Sequence, residues 1–306
     1  MPASPFTPQL RPLSIGEILD AGFRLFRARF GALLLAVLVP VVPLAIAGTI
    51  VVALTDEHYF DVSTTEVDQS GSAVAGNLIG IVLQGIALAL AVAACFKIVS
   101  AAYLGEEANV GESLRYGAGR IVAIIVAYIV LAILLGISFI LLVIPFVFFS
   151  VKFSMTFAAI VFERKGPFAA MGRSWALTRG SFWRTLGVLV VVVLLMFVLF
   201  IALTIVISAG LLSIESASEP AVAVVYTLLN VLMIALTYPL FAAILTVIYY
   251  DLRVRNEGFD LQLLARGVGS DESRFAAAPE RPAEPVPESV PPPSTGGFAP
   301  PQAPSA

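Results

Sequence analysis

Hydrophobic residues in this chain do not alternate with polar ones; they gather in runs about twenty residues long, separated by short polar connections. At 1.5 Å per residue, a run of that length crosses the roughly 30 Å hydrocarbon core of a bilayer. Ala32–Leu54, Val74–Phe96, Leu186–Ser208 and Val222–Tyr249 each have this length. Ile121–Phe162 is about two spans long and carries Pro145 near its middle, where a proline can end one helix and begin the next. The pattern predicts six transmembrane helices, over about 32–54, 74–96, 121–142, 146–163, 186–208 and 222–249, with a tight outer turn around Leu142–Phe148. The first run is read as a retained span although Ala45-Ile46-Ala47 resembles a signal cleavage site, because a long helical segment of mixed charge precedes it.

That preceding segment has its own period. Ser14-Ile15-Gly16-Glu17 fits a capping box, and Ile15, Ile18, Leu19, Phe23, Phe26 and Phe30 recur at three- and four-residue intervals. Glu17, Asp20, Arg24 and Arg27 fall elsewhere on the wheel, so an amphipathic helix is expected, lying at the interface or packed beneath the bundle. A similar stretch, Gly166–Thr185, aligns with Ser14–Leu33 so that Trp175 falls on Phe23, Arg179 on Arg27 and Phe182 on Phe30. Val110–Arg120 is a shorter third copy. The fold class is therefore all-α: a polytopic membrane protein of six transmembrane helices arranged as three helical hairpins with cytoplasmic amphipathic interfacial helices. Residues 1–13 form an N-terminal cytoplasmic segment, 14–266 the membrane domain, and the proline-rich stretch 267–306 a disordered cytoplasmic tail.

Charge then gives orientation. Of 18 Lys and Arg residues all but one lie outside the runs or at their ends, crowded into alternate connections. Thr55–Ala73 and Ala209–Pro220 hold acids and no base, so both termini are placed in the cytoplasm. A composition of 59% hydrophobic and 13% charged residues excludes an ordinary soluble domain, in which charged residues make up about a quarter. The net charge of −3 misleads, because the acids sit mainly in loops and tail. Fifteen Arg against three Lys, with abundant Ala, Val and Leu, suggests a GC-rich genome and a bacterial inner membrane.

Candidate chemistry is sparse. No stretch outside the runs is long enough for a soluble catalytic domain, the runs hold no Asp, Glu or His, and phosphate-loop, dinucleotide and metalloprotease signatures are missing. No catalytic, cofactor or metal residues are assigned, and an enzyme is not expected. Lys152 is the one basic residue inside a run; counted along an unbroken helix from Glu163 it lies roughly 16 Å deep. It is either a contact for an anionic ligand such as a lipid phosphate, or a snorkelling or carbonyl-capping side chain. Gln84, which follows Gly76 and Gly80 at four-residue spacing, and Asn230 are candidates for interhelical polar contacts, and Gly85, Ala89 and Ala93 form an adjacent small stripe. Arg24, Arg27, Arg173 and Arg179 are candidate contacts for anionic lipid heads at the inner face.

Three segments together, LRPLSIGEILDAGFRLFRARF, VFERKGPFAAMGRSWALTRGSFWRTLG and YYDLRVRNEGFDLQ, resemble bacterial membrane proteins related to the membrane domain of glycerophosphoryl diester phosphodiesterase. The resemblance spans roughly Leu10–Leu264 and implies the membrane fold, not phosphodiester chemistry, since the soluble domain found in some relatives is absent here. It carries over no functional residues. Two functions follow as expectations: a non-enzymatic scaffold or accessory subunit holding anionic lipids or a membrane or cytoplasmic protein, and a transporter or flippase for a lipid or small amphiphile. A nucleic-acid partner is not expected.

Overall fold

The computed structural model describes residues 12–56, 70–212 and 219–259. Among them the chain is entirely helical, in the order α1 (Ile15–Ala28), α2 (Phe30–Thr55), α3 (Gly71–Leu104), α4 (Val110–Ala118), α5 (Ile121–Leu141), α6 (Val143–Phe153), α7 (Thr156–Phe162), α8 (Pro167–Leu177), α9 (Phe182–Leu212) and α10 (Glu219–Glu257). Six stretches are long and apolar enough to cross a membrane: α2, α3, α5, α6 with α7, α9 and α10. The acidic connection with His58, and the tail over 267–306, lie outside the described residues.

Burial is uneven. About 61% of the most apolar window of α10 is buried, against 11% for α9, so α10 is the inner helix and α9 faces outward. The most extensive pairing is α2 on α3. Gly76 permits it at one end, where a Cβ would lie 1.7 Å from the Thr55 hydroxyl of α2. Farther along α3, Ala89 and Ala93 are buried, whereas Gly85 meets nothing within 4 Å.

Two helices outrun their hydrophobic runs. α3 continues past Lys97 to Leu104, and α10 past Tyr249 to Glu257. The added turns stay helical because they bury an aromatic cluster. Tyr103 stacks on Tyr250 with ring centroids 5.0 Å apart, Phe162 of α7 sits 5.0 Å from Tyr249 and 5.6 Å from Tyr250, and Ser100 Oγ lies 2.7 Å from Tyr250 Oη. Extra helix at this basic end is thus packed as core, which hydropathy alone does not reveal.

The span expected at 146–163 differs most. α5 stops at Leu141, one extended residue intervenes, and α6 starts at Val143 with Pro145 in its first turn, where a missing N–H costs nothing. The helix then breaks at Ser154–Met155 before α7 resumes. Ser174 of α8 fills the break: its hydroxyl donates to the Lys152 carbonyl (2.7 Å) and accepts the Met155 N–H (3.0 Å). A wedge from a neighbouring helix thereby satisfies backbone groups the interruption frees.

α1 begins as expected. Ser14 Oγ accepts the Glu17 N–H at 3.4 Å, and Glu17 Oε2 accepts the Ser14 N–H at 2.7 Å. Its buried face is Ile18, Ala21, Gly22 and Leu25, set against α10, while Phe23 and Phe30 stay exposed. The contact closes at Gly22, where a Cβ would meet Ile244 Cγ1 at 2.8 Å and its Cα at 3.1 Å. Just upstream, the Leu13 N–H donates to the buried Asp251 carboxylate (2.8 Å), which also takes Arg184 and Arg255 (3.1 Å). Leu13's carbonyl accepts from the same two arginines, so α1, α9 and α10 are tied at one point.

Gly22→Ala is expected to lower stability by about 1–3 kcal/mol, seen as a fall of roughly 2–10 °C in the thermal midpoint in detergent. Gly16→Ala, where nothing lies within 4 Å, should instead stabilise through helix propensity. Equal shifts in the two variants would remove the close approach at Gly22 as an explanation.

Candidate functional site

Lys152 lies in the last turn of α6, only 8% exposed. Its ammonium stands 5.2 Å from the Trp175 ring centroid and 5.8 Å from those of Phe148 and Phe182. Each such contact contributes about 0.5–1 kcal/mol at exposed sites and about 2 or more when desolvated, and the carbonyl end of α6 adds a favourable dipole. Among the described residues no carboxylate pairs with it. The depth of roughly 16 Å presupposed an unbroken helix; the break after Phe153 brings α8 back against α6 and sets the ammonium beside Phe182, the first residue of α9. The ammonium thus sits among three aromatic rings.

The four arginines proposed for lipid contact separate. Arg27 and Arg179 are exposed, with no ion pair among the described residues. Arg24 pairs with Asp20 at 3.3 Å on the surface of α1. Arg173 is fully committed: Nε meets Glu163 Oε1 at 2.6 Å, Nη2 meets Glu257 Oε2 at 2.8 Å, and Nη1 meets the second Glu257 oxygen. Glu163 also accepts from Tyr249 and pairs with Lys165 at 3.2 Å, and Glu257 from Arg253 at 3.2 Å. This bidentate network fastens α8 to the end of α10, helped by the Asn256 amide donating to the Leu177 carbonyl at 2.6 Å.

A second basic group was not singled out from the sequence. Lys97 of α3, Arg120 just before α5 and Arg164 between α7 and α8 surround the ring of Tyr116 on α4, at 5.6, 6.0 and 5.5 Å from its centroid. The Tyr116 hydroxyl donates to the Val161 carbonyl, and Arg120 Nη1 donates to the Arg164 carbonyl at 3.2 Å. Arg164 holds φ at 53°, a left-handed conformation uncommon for a side chain of this kind. One residue of α3 and two from separate connections meet here, and spacing along the chain carries no sign of it.

Gln84 and Asn230 do not bond to each other. Both line a cavity of about 270 Å³ between α2, α3 and α10, together with Thr49, Thr227, Gly48 and Gly80. Asn230 also borders a larger space of about 580 Å³ between α9 and α10, walled by Met196, Phe197, Phe200, Met233 and Phe241. A polar recess and an apolar one therefore share Asn230 and Ile234.

Burial pushes the Glu163 carboxyl up, but hydrogen bonds from Tyr249 and Arg173, the Arg173 charge and Lys165 outweigh it and hold the group below the ordinary 4.5. A carboxyl depressed in the folded state stabilises fully above its unfolded value and loses that contribution as pH falls through the lower folded one. The thermal midpoint is expected to be flat from pH 7 to about pH 5 and to drop at lower pH. Glu163→Gln should lower the plateau and shallow the acid slope; parallel curves for the two proteins would refute the assignment.

The family described as the membrane domain of glycerophosphoryl diester phosphodiesterase matches residues 121–279, a little over half of the chain. The match takes in VFERKGPFAAMGRSWALTRGSFWRTLG and YYDLRVRNEGFDLQ and hence α5 to α10, but not the opening LRPLSIGEILDAGFRLFRARF. No curated protein and no solved structure matches. With its six apolar helices this is an integral, multi-pass membrane protein, and it belongs to the family of the membrane domain of glycerophosphoryl diester phosphodiesterase.

Proposed function

We propose that the protein is a non-enzymatic scaffold or accessory subunit of a bacterial inner membrane, with both termini cytoplasmic and its basic end holding anionic lipid heads or a protein partner. One observation carries this reading. The basic side chains divide into those spent on internal carboxylates (Arg173, Arg184, Arg253, Arg255) and those left exposed and unpaired among the described residues, such as Arg27 and Arg179. The first group builds a rigid platform; the second faces outward from it. Exposed Phe23 and Phe30 beside Arg27 suit a helix lying in an interface, apolar on two sides.

The repeat architecture fits the same picture. Each of α1, α4 and α8 is followed, after one to four residues, by a long apolar helix, and Phe30 and Phe182, aligned in the sequence, are the first residues of α2 and α9. Three units of this kind, each a short helix leading into a hairpin, would bring all three short helices to one face.

Epitope-tagged full-length protein, crosslinked in native membranes, tests the scaffold reading. Combining Arg27→Glu with Arg179→Glu is expected to cut recovery of crosslinked partner by at least about fivefold, with membrane insertion unchanged. Recovery that ignores the charge reversal, or no partner from the wild type, would sink it.

The paired recesses favour a second reading, a transporter or flippase for an uncharged-head amphiphile, with head groups beside Gln84 and Asn230 and tails along Phe197 and Phe200. The surroundings of the Lys152 ammonium are taken up by aromatic rings. Proteoliposomes with fluorescent lipids should then scramble faster than empty vesicles, and Gln84→Leu with Asn230→Leu should slow them several-fold. Rates equal to empty vesicles dismiss the idea.

A further inference from the structure

We propose that Lys97, Arg120 and Arg164, gathered around Tyr116, form a binding site for a phosphate group carried on a phospholipid head or a small soluble ester. The cluster is distinct from the exposed arginines above; only the choice of a lipid as one source of the phosphate rests on the scaffold reading.

Three cations each within 6.0 Å of one ring centroid are no more than about 12 Å apart, the sum of two such radii. Like charges that approach within the Debye length of about 8 Å repel, and an anion among them would relieve that repulsion. Glu163, adjacent to Arg164, serves Arg173, Lys165 and Tyr249; Glu257 serves Arg173 and Arg253; and Asp251 serves Arg184 and Arg255. Glu106 and Glu107, between α3 and α4, and Glu112 on α4 are nearer in sequence, and they too form no ion pair with the cluster. Among the described residues none pairs with Lys97, Arg120 or Arg164.

Cation–π attraction to Tyr116 gathers the charges without neutralising them. The ring itself is pinned through its hydroxyl to Val161, so it cannot swing to follow them. Arg164 accepts a left-handed backbone to take its place, and strain of this kind is characteristic of ligand clamps. The first turn of α5 starts at the residue after Arg120 with no capping side chain, and its free amides add the same sign of potential. Two guanidinium forks and one ammonium suit the several oxygens of a phosphate better than the two of a carboxylate. Arg164 is exposed and Arg120 and Lys97 are half-buried, so the group would be reached from the basic face.

Detergent-purified full-length protein is titrated with phosphatidylglycerol and with dioleoylglycerol, which lacks phosphate, and bound lipid is counted by native mass spectrometry. Phosphatidylglycerol should bind preferentially. Each of Lys97→Gln, Arg120→Gln and Arg164→Gln is expected to weaken it about fivefold, and the triple variant about a hundredfold. Arg115→Gln, which removes an exposed arginine of α4 outside the cluster, should leave affinity within about twofold. Displacement of the lipid by millimolar glycerol phosphate or inorganic phosphate identifies a site open to soluble esters; failure to displace it identifies the lipid head as the source. Thermal midpoints separate loss of binding from loss of fold, since removing like charges should hold or raise them, and if the triple variant does not fold the single variants decide. Equal binding of the two lipids by the wild type, or an undiminished preference in the variants, overturns the proposal. Partner crosslinking is scored separately, so either idea can fail alone.

Discussion

A carboxylate withdrawn from water must be matched by donors, and Asp251 is withdrawn completely. Its matches come from three parts of the chain: the Leu13 amide ahead of α1, Arg184 in the first turn of α9, and Arg255 one turn farther along α10. Because the Leu13 carbonyl returns a bond to each arginine, losing any one of the three takes a donor from a fully buried charge and breaks a bond to one of the others. The inner helix, the outermost helix and the first helix are thereby fixed relative to one another. Everything else at the basic end is hung on that frame: the aromatic cluster of Tyr103, Phe162, Tyr249 and Tyr250 packs directly beside it.

Surplus charge then acquires meaning by contrast. Glu163, Asp251 and Glu257 satisfy Lys165, Arg173, Arg184, Arg253 and Arg255, and the cost of burying these groups is offset by multiple short contacts. Among the described residues, three of the cations left unpaired meet at one tyrosine. Positive charge flanking membrane helices is normally read as orientation. Here part of it is structural, and part is presented.

The spans were legible because a bilayer imposes a length, and the capping box of α1 because it is local in sequence. Contacts made by distant residues were not. Nothing near Met155 announces that Ser174 will enter the helix, so Lys152 was assigned to an unbroken span. Arg173 read as an exposed lipid contact because its partners lie 10 and 84 residues away. Gln84 and Asn230 stand out in the sequence singly, as polar residues among apolar ones; that they line one recess does not show in it. Hydropathy also stopped α3 at Lys97, since a lysine at a membrane boundary and one on a helix continuing into packed protein look alike.

The Ser154–Met155 interruption has a mechanical side. α3 and α10 run from the apolar bundle into the basic end as continuous helices of 34 and 39 residues, or about 50 and 60 Å, α10 with Pro239 inside it. They are the long struts of the fold. The strand of helix through α6 and α7 is articulated, and its articulation is gripped by one hydroxyl from α8. A displacement of α8 would therefore act first at that joint, next to Lys152, whose carbonyl the same hydroxyl holds.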